Sequence, residues 1–265
     1  MNDGAQRYAV ILKNAEDLEP QRLAPPLSRA LKIALYDAAR QSRMHRGIPA
    51  KNLDEGAAKS IASEFEASGI DCAVVREESI ASMPEARKVP KLEMMEDGLI
   101  VFPLDGREEL KWDEIALIAA ATTENRETKT TVSQISPGMG KKIAGFGILM
   151  TTGIPLKMGK TRKVEKTETT TKLEYFAELF AGNPPRRFRI DAESFDFTCL
   201  KEKIFPNIYS NFTLLVTELV KMAPRALLNR GVRNFLKPGE GERFSYTDNE
   251  DFNAENRWLL TLRNI

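Results

Sequence analysis

The spacing of apolar residues divides the chain into stretches of helical and of strand period. Tyr8-Ala9-Val10-Ile11-Leu12 is a short apolar run rich in β-formers and predicts a strand. Leu27, Leu31, Ala34, Leu35 and Ala38 then recur at helical spacing, behind Pro25 and Pro26 where a helix can begin. Gly47 and Pro49 stop that helix. Asn52 or Asp54 can cap a second one, with Ala57, Ile61 and Phe65 along one face and Gly69 at its end. Cys72-Ala73-Val74-Val75 reads as a returning strand, followed by a proline-containing linker over 83–91. The pattern predicts a small strand-helix-helix-strand domain over 1–82.

From residue 92 the period shortens. Leu92 to Met95, Leu99 to Leu104 and Ile115 to Ala121 predict strands separated by the turn signals Asp97-Gly98 and Asp105-Gly106. Tyr175 to Phe180 and Phe188 to Phe197 predict two more, joined by Gly182-Asn183-Pro184-Pro185. Ile208 to Met222 is a strong amphipathic helix carrying Phe212, Leu215, Val216 and Leu219 on one face, and Pro224 stops it. Ala226, Leu227, Leu228, Val232, Phe235 and Leu236 predict a further helix. In the tail from Asn249 to Leu262, the residues Trp258, Leu259, Leu260 and Leu262 are expected to pack back onto the body. The fold class is therefore α+β, with a mainly antiparallel β domain over 92–223 and a helical extension over 224–265. No internal repeat is visible.

Charge changes this picture in one place. The net charge of the 265 residues is +1, but residues 126–172 hold ten basic residues against three acids, a local +7 that leaves −6 for the remainder. Such asymmetry bears on partners more than on fold. Inside this segment Ile143 to Leu156 is the longest apolar run, interrupted by three glycines and too short for the about 20 residues a spanning helix needs. An apolar stretch with basic shoulders suits an anionic membrane surface, where each basic residue contributes on the order of 1 kcal/mol. Nucleic acid would attract the same lysines, but Phe146 is the one aromatic residue there to stack on bases. The plain alternative is a long β-hairpin or mobile loop inserted in the β domain, with a solvated basic face.

Two glycine-lysine stretches come close to a phosphate loop. Gly138-Met139-Gly140-Lys141-Lys142 lacks the hydroxyl residue after the first lysine. The stretch from Gly153 to Lys160-Thr161 has one residue too many between its glycines and lacks a helix-forming continuation. Metal and triad chemistry are poorly supplied: His45 is the one histidine, beside Arg43 and Arg46, whose charge is expected to lower its pKa. Asp248, Glu250, Asp251 and Glu255 could hold a divalent ion, though acids at a helix start have the ordinary cause of complementing its dipole. Cys72 and Cys199 lie far apart in runs read as apolar strands, which argues against a disulfide framework and fits a reducing compartment. In Arg186-Arg187-Phe188-Arg189, strand alternation places Arg187 and Arg189 on one face, expected to meet solvent.

The run Arg46-Gly47-Ile48-Pro49-Ala50-Lys51-Asn52-Leu53, continued through Phe65, Gly69 and Val74, resembles the C-terminal domain of the ribosomal stalk protein and the related Clp-protease adaptor fold. The strands from Leu92 to the helix ending at Met222, with Trp112 in Leu110-Lys111-Trp112-Asp113-Glu114-Ile115, resemble bacterial pleckstrin-homology-like domains. That resemblance implies a barrel with 126–172 as an insertion; it does not by itself imply a ligand.

The expectation is a non-enzymatic binding or adaptor protein, cytoplasmic or peripheral to a membrane, with no cofactor and no metal. Its expected partner is another protein or an anionic membrane surface. The contact residues would be Lys141, Lys142, Phe146, Lys157, Lys160, Arg162 and Lys163 of the insertion, with Arg187 and Arg189. Two alternatives stay open: a metal-dependent enzyme using the C-terminal carboxylates, and a structural protein that self-associates through the insertion.

Overall fold

A computed structural model describes residues 6–135, 162–237, 239 and 246–265, with the side chains of 16 and 125–171 outside the description. The strands and helices divide into two compact units, one of residues 1–123 and 173–265, the other of residues 124–172.

In the larger unit, β1 (Tyr8–Leu12) is the middle strand of a sheet ordered β2-β1-β3, antiparallel to β2 (Ala50–Leu53) and β3 (Cys72–Arg76). Its alternation feeds two cores. Val10 and Leu12 meet helices α1 (Pro20–Leu31), α2 (Leu35–Met44) and α3 (Glu55–Ala67), whereas Ala9 and Ile11 face the opposite side. A strand buried on both faces reads as an unbroken apolar run, as this one does.

The expected single helix through Leu27 and Ala38 is two. Lys32, at φ 54°, ends α1 in the left-handed conformation, and Ser28 Oγ donates to the Ile33 carbonyl across the break. The helix also starts earlier than its proline pair: Pro20 opens it, while Pro25 and Pro26 lie inside and Leu23, Ala24, Pro26 and Leu27 are buried. Asp54 caps α3 as expected, accepting from the Ala57 amide at 2.8 Å. Strand β2 was not expected; its presence makes the order strand-helix-helix-strand-helix-strand.

The second sheet runs β11-β8-β9-β10-β4. It comprises β4 (Ala86–Lys88), β8 (Ile115–Ile135), β9 (Arg162–Ala181), β10 (Arg186–Asp191) and β11 (Leu227–Leu228). The region read as a linker thus supplies β4, parallel to β10, and the region read as one helix after Arg225 supplies β11 and the short α5 (Arg230–Phe235). Ile118, Ala120, Leu179, Phe188 and Ile190 enter one core, with α4 (Ile208–Met222) and a small antiparallel sheet of β5 (Lys91–Met94), β6 (Gly98–Phe102) and β7 (Glu108–Lys111). Leu117, Ala119, Phe176 and Phe180 enter the other, where α6 (Asn249–Arg263) also contributes Phe252, Trp258, Leu259 and Leu260. The α+β class and its mainly antiparallel strands hold. The strands form open sheets, and the described residues contain no closed barrel.

Helix α6 therefore joins the core shared by both sheets. Trp258 is its anchor: the indole Nε1 donates to the Leu12 carbonyl at 2.6 Å. Its ring lies where a β-carbon on Gly47 would be, 2.1 Å from Trp258 Cγ, and Gly47 holds φ +70°. Gly47 is thus required twice, for its backbone and for the space it leaves. The smaller unit consists, in its described part, of the residues of β8 beyond Thr123 and of β9 before Leu173.

Candidate functional site

The arginine run on β10 folds inward. Register pairs Arg187 with Phe180 and Arg189 with Glu178, so strand alternation does place the two arginines on one face, but that face is the core side carrying Phe176, Glu178 and Phe180. Glu178 is fully buried. Arg187 grips it with both arms, Nε to Oε2 at 2.7 Å and Nη2 to Oε1 at 2.9 Å, and also donates to Asn253 Oδ1 of α6 at 2.8 Å. Arg189 approaches the same carboxylate at 3.4 Å, bonds Asp191 at 2.7 Å, and lays its guanidinium 3.7 Å over the Phe176 ring. Burial pushes the Glu178 carboxyl up, against the downward pull of Arg187 and Arg189. The expectation of a solvent-facing pair is corrected: only 11% of the Arg187 side chain is exposed. Neighbouring Arg186 is paired with Glu108, which Arg87 also contacts.

The C-terminal carboxylates are answered by arginines in the same way. Asp248 caps α6 by accepting from the Asp251 amide at 2.8 Å. Asp251 pairs with Arg46 and, at 2.7 Å, with Arg230. Glu255, buried, accepts from the Arg230 backbone amide at 2.8 Å and from the Tyr246 hydroxyl at 3.1 Å. Asn229 donates to Tyr246 Oη at 2.9 Å and accepts from the Ala120 amide at 3.1 Å, tying α5 and α6 to β8. Burial, with Glu255 beside it, raises the Tyr246 phenol well above its ordinary range. Glu250 stays exposed. Among the described residues no group of three or more histidine, cysteine or acidic side chains is arranged to hold a metal.

Burial pushes the thiols of Cys72 and Cys199 up to about 11, so both are protonated near neutrality. Cys72 begins β3, whereas Cys199 lies in a 3-10 turn over Phe197–Lys203 and not in a strand.

His45 follows the last residue of α2 and is half-buried. Its pKa is lowered as expected, but by burial first, then by Lys51 and Arg257, and not by Arg43 or Arg46. Lys51 and Arg257, with Arg46 and Glu77, line a cleft of about 270 Å³ beside it. These partners have no local signature in the sequence: α6 is brought to the turn before β2 by long-range contacts, among them Trp258 on Gly47 and the Arg46–Asp251 pair.

Compared with known proteins, the chain matches no family model, no curated protein and no solved structure.

Of the residues expected to contact a partner, Lys141, Lys142, Phe146, Lys157 and Lys160 lie outside the described residues. Arg162 and Lys163 open β9, in whose backbone alone they are described. That strand also bears on the Gly-Lys-Thr sequence ending at Thr161: a phosphate loop requires a helix directly after its lysine, and a strand begins at Arg162. Among the described residues no helix is long and apolar enough to cross a membrane.

Proposed function

We propose that the chain is a non-enzymatic binding or adaptor protein that meets an anionic membrane surface through the basic residues between Arg126 and Lys172, as a peripheral partner of that surface. One observation carries the reading. The segment that concentrates the positive charge belongs to a compact unit of its own, 124–172, whereas the described arginines of the larger unit near β10 are matched by buried or half-buried acids. With ten basic residues against three acids, the segment cannot neutralise itself. Its charge therefore favours an external anion by roughly 1 kcal/mol for each residue brought to an anionic bilayer. The apolar run Ile143 to Leu156 adds side chains suited to shallow insertion.

Co-sedimentation with anionic and with neutral liposomes, at low and at high salt, tests the proposal. Binding to the anionic vesicles that weakens at high salt is expected, and absence of binding at low salt would remove the reading.

A further inference from the structure

Sequence places Arg257 more than 200 residues from His45 and Lys51, and the fold brings the three to one cleft. Helix α2 ends at Met44, and Gly47 turns the chain into β2, which carries Lys51. Because Gly47 lacks a β-carbon, Trp258 of α6 can lie against the turn, and the residue before it, Arg257, reaches the same cleft. Ile48 and Ile80 give the cleft an apolar wall.

The charges facing this space do not cancel. Arg46 is occupied by Asp251. Glu77, the one acid lining the cleft, accepts a hydrogen bond from the Asn52 amide at 3.0 Å. The side chains of Lys51 and Arg257 have no carboxylate within salt-bridge distance among the described residues. The cleft thus holds one excess positive charge with His45 neutral and two with it protonated. Half-burial and the two neighbouring cations favour the neutral imidazole when no anion is present. A dianion reverses that balance, because it neutralises both cations and favours a third.

We propose that this cleft binds the phosphoryl group of a small soluble phosphomonoester, with Lys51 and Arg257 as fixed cations and His45 taking up a proton from solvent to become a third donor. A planar guanidinium fork and a compact ammonium are the pair that recognises phosphate oxygens. A carboxylate carries one charge, which matches the cleft without engaging His45. The apolar wall of Ile48 and Ile80 leaves room for a short organic body. The site lies entirely within the larger unit and does not depend on the basic segment.

The chain has a single histidine, so the imidazole Cε1 proton resonance in an NMR titration reports His45 alone. The full chain is titrated in chloride, in acetate, in inorganic phosphate and in glycerol 3-phosphate, all at one ionic strength. His45 is expected to titrate at higher pH in the two phosphates than in chloride or acetate. Lys51→Gln and Arg257→Gln are each expected to weaken phosphate binding on the order of tenfold, the loss of one charge-assisted contact. Lys51 is exposed on β2, so K51Q keeps the test valid if R257Q fails to fold. Superimposable curves in phosphate and chloride, or an equal response to acetate, would overturn the proposal. A response confined to vesicles containing phosphatidic acid would overturn its soluble ligand.

Discussion

Two arginine- and lysine-rich regions look alike in the sequence and differ in the folded chain. On β10, Arg186, Arg187 and Arg189 meet Glu108, Glu178 and Asp191, so a conspicuous basic cluster is consumed within the protein. Residues 126–172 carry more basic residues and only three acids of their own. The difference teaches that a basic run speaks of a partner only after the acids brought to it by the fold are counted. Glu178 is nine residues from Arg187 in sequence but faces it across a hairpin, and α6 closes over both through Asn253.

The comparison can be broken most severely at Glu178. Glu178→Ala leaves the half-buried Arg187 and Arg189 without their shared, fully buried carboxylate and is expected to cost about 3–5 kcal/mol in urea unfolding. A loss below about 1 kcal/mol would mean that the arginines are solvated after all. Next in size is Glu255→Gln, which weakens the bonds from Arg230 and Tyr246 to the middle of α6. Its expected cost is about 1–3 kcal/mol by the same measurement. By contrast, on the proposed role of the basic segment, Arg162→Gln with Lys163→Gln is expected to change unfolding stability by no more than about 0.5 kcal/mol, the size of a change that removes no internal pairing. A large destabilisation there would show that these charges are internally paired like those of β10.

The smallest effect is on the acid limb of stability. The folded pKa of His45 lies below its ordinary 6.5, so between the two values the unfolded chain binds the proton more tightly. Stability contributed by neutral His45 is therefore present above pH 6.5 and is lost as pH falls towards the folded value. His45→Gln should flatten the difference in melting temperature between neutral and mildly acidic solution, measured without phosphate. An unchanged slope would place His45 in a solvated setting.

Much of the fold was legible locally. Helix α4 has the bounds expected of it because Asn207 caps it, its apolar face is continuous and proline follows. Strand β1 and helix α3 were legible for similar reasons, an apolar run and the Asp54 cap. Strands β2 and β7 were not, since Ala-Lys-Asn-Leu and Glu-Glu-Leu-Lys lack β-branched residues and take their conformation from a neighbouring strand. The break at Lys32 carried no signal either, because lysine seldom adopts the left-handed conformation that ends α1. For the candidate sites, the arginines on β10 were visible and their shared face followed from strand period. What covers that face was not, because α6 arrives from more than 50 residues downstream. Arg257 and Lys51 share a cleft for the same long-range reason.

The most direct test of the central claim compares liposome co-sedimentation of the full chain with that of a variant in which the ten basic residues between 126 and 172 are changed to glutamine. The account predicts that the full chain binds anionic vesicles at low salt, that salt weakens this binding, and that the variant does not bind while its melting temperature is unchanged. Equal binding by the variant, with the charges of β10 still in place, would contradict it.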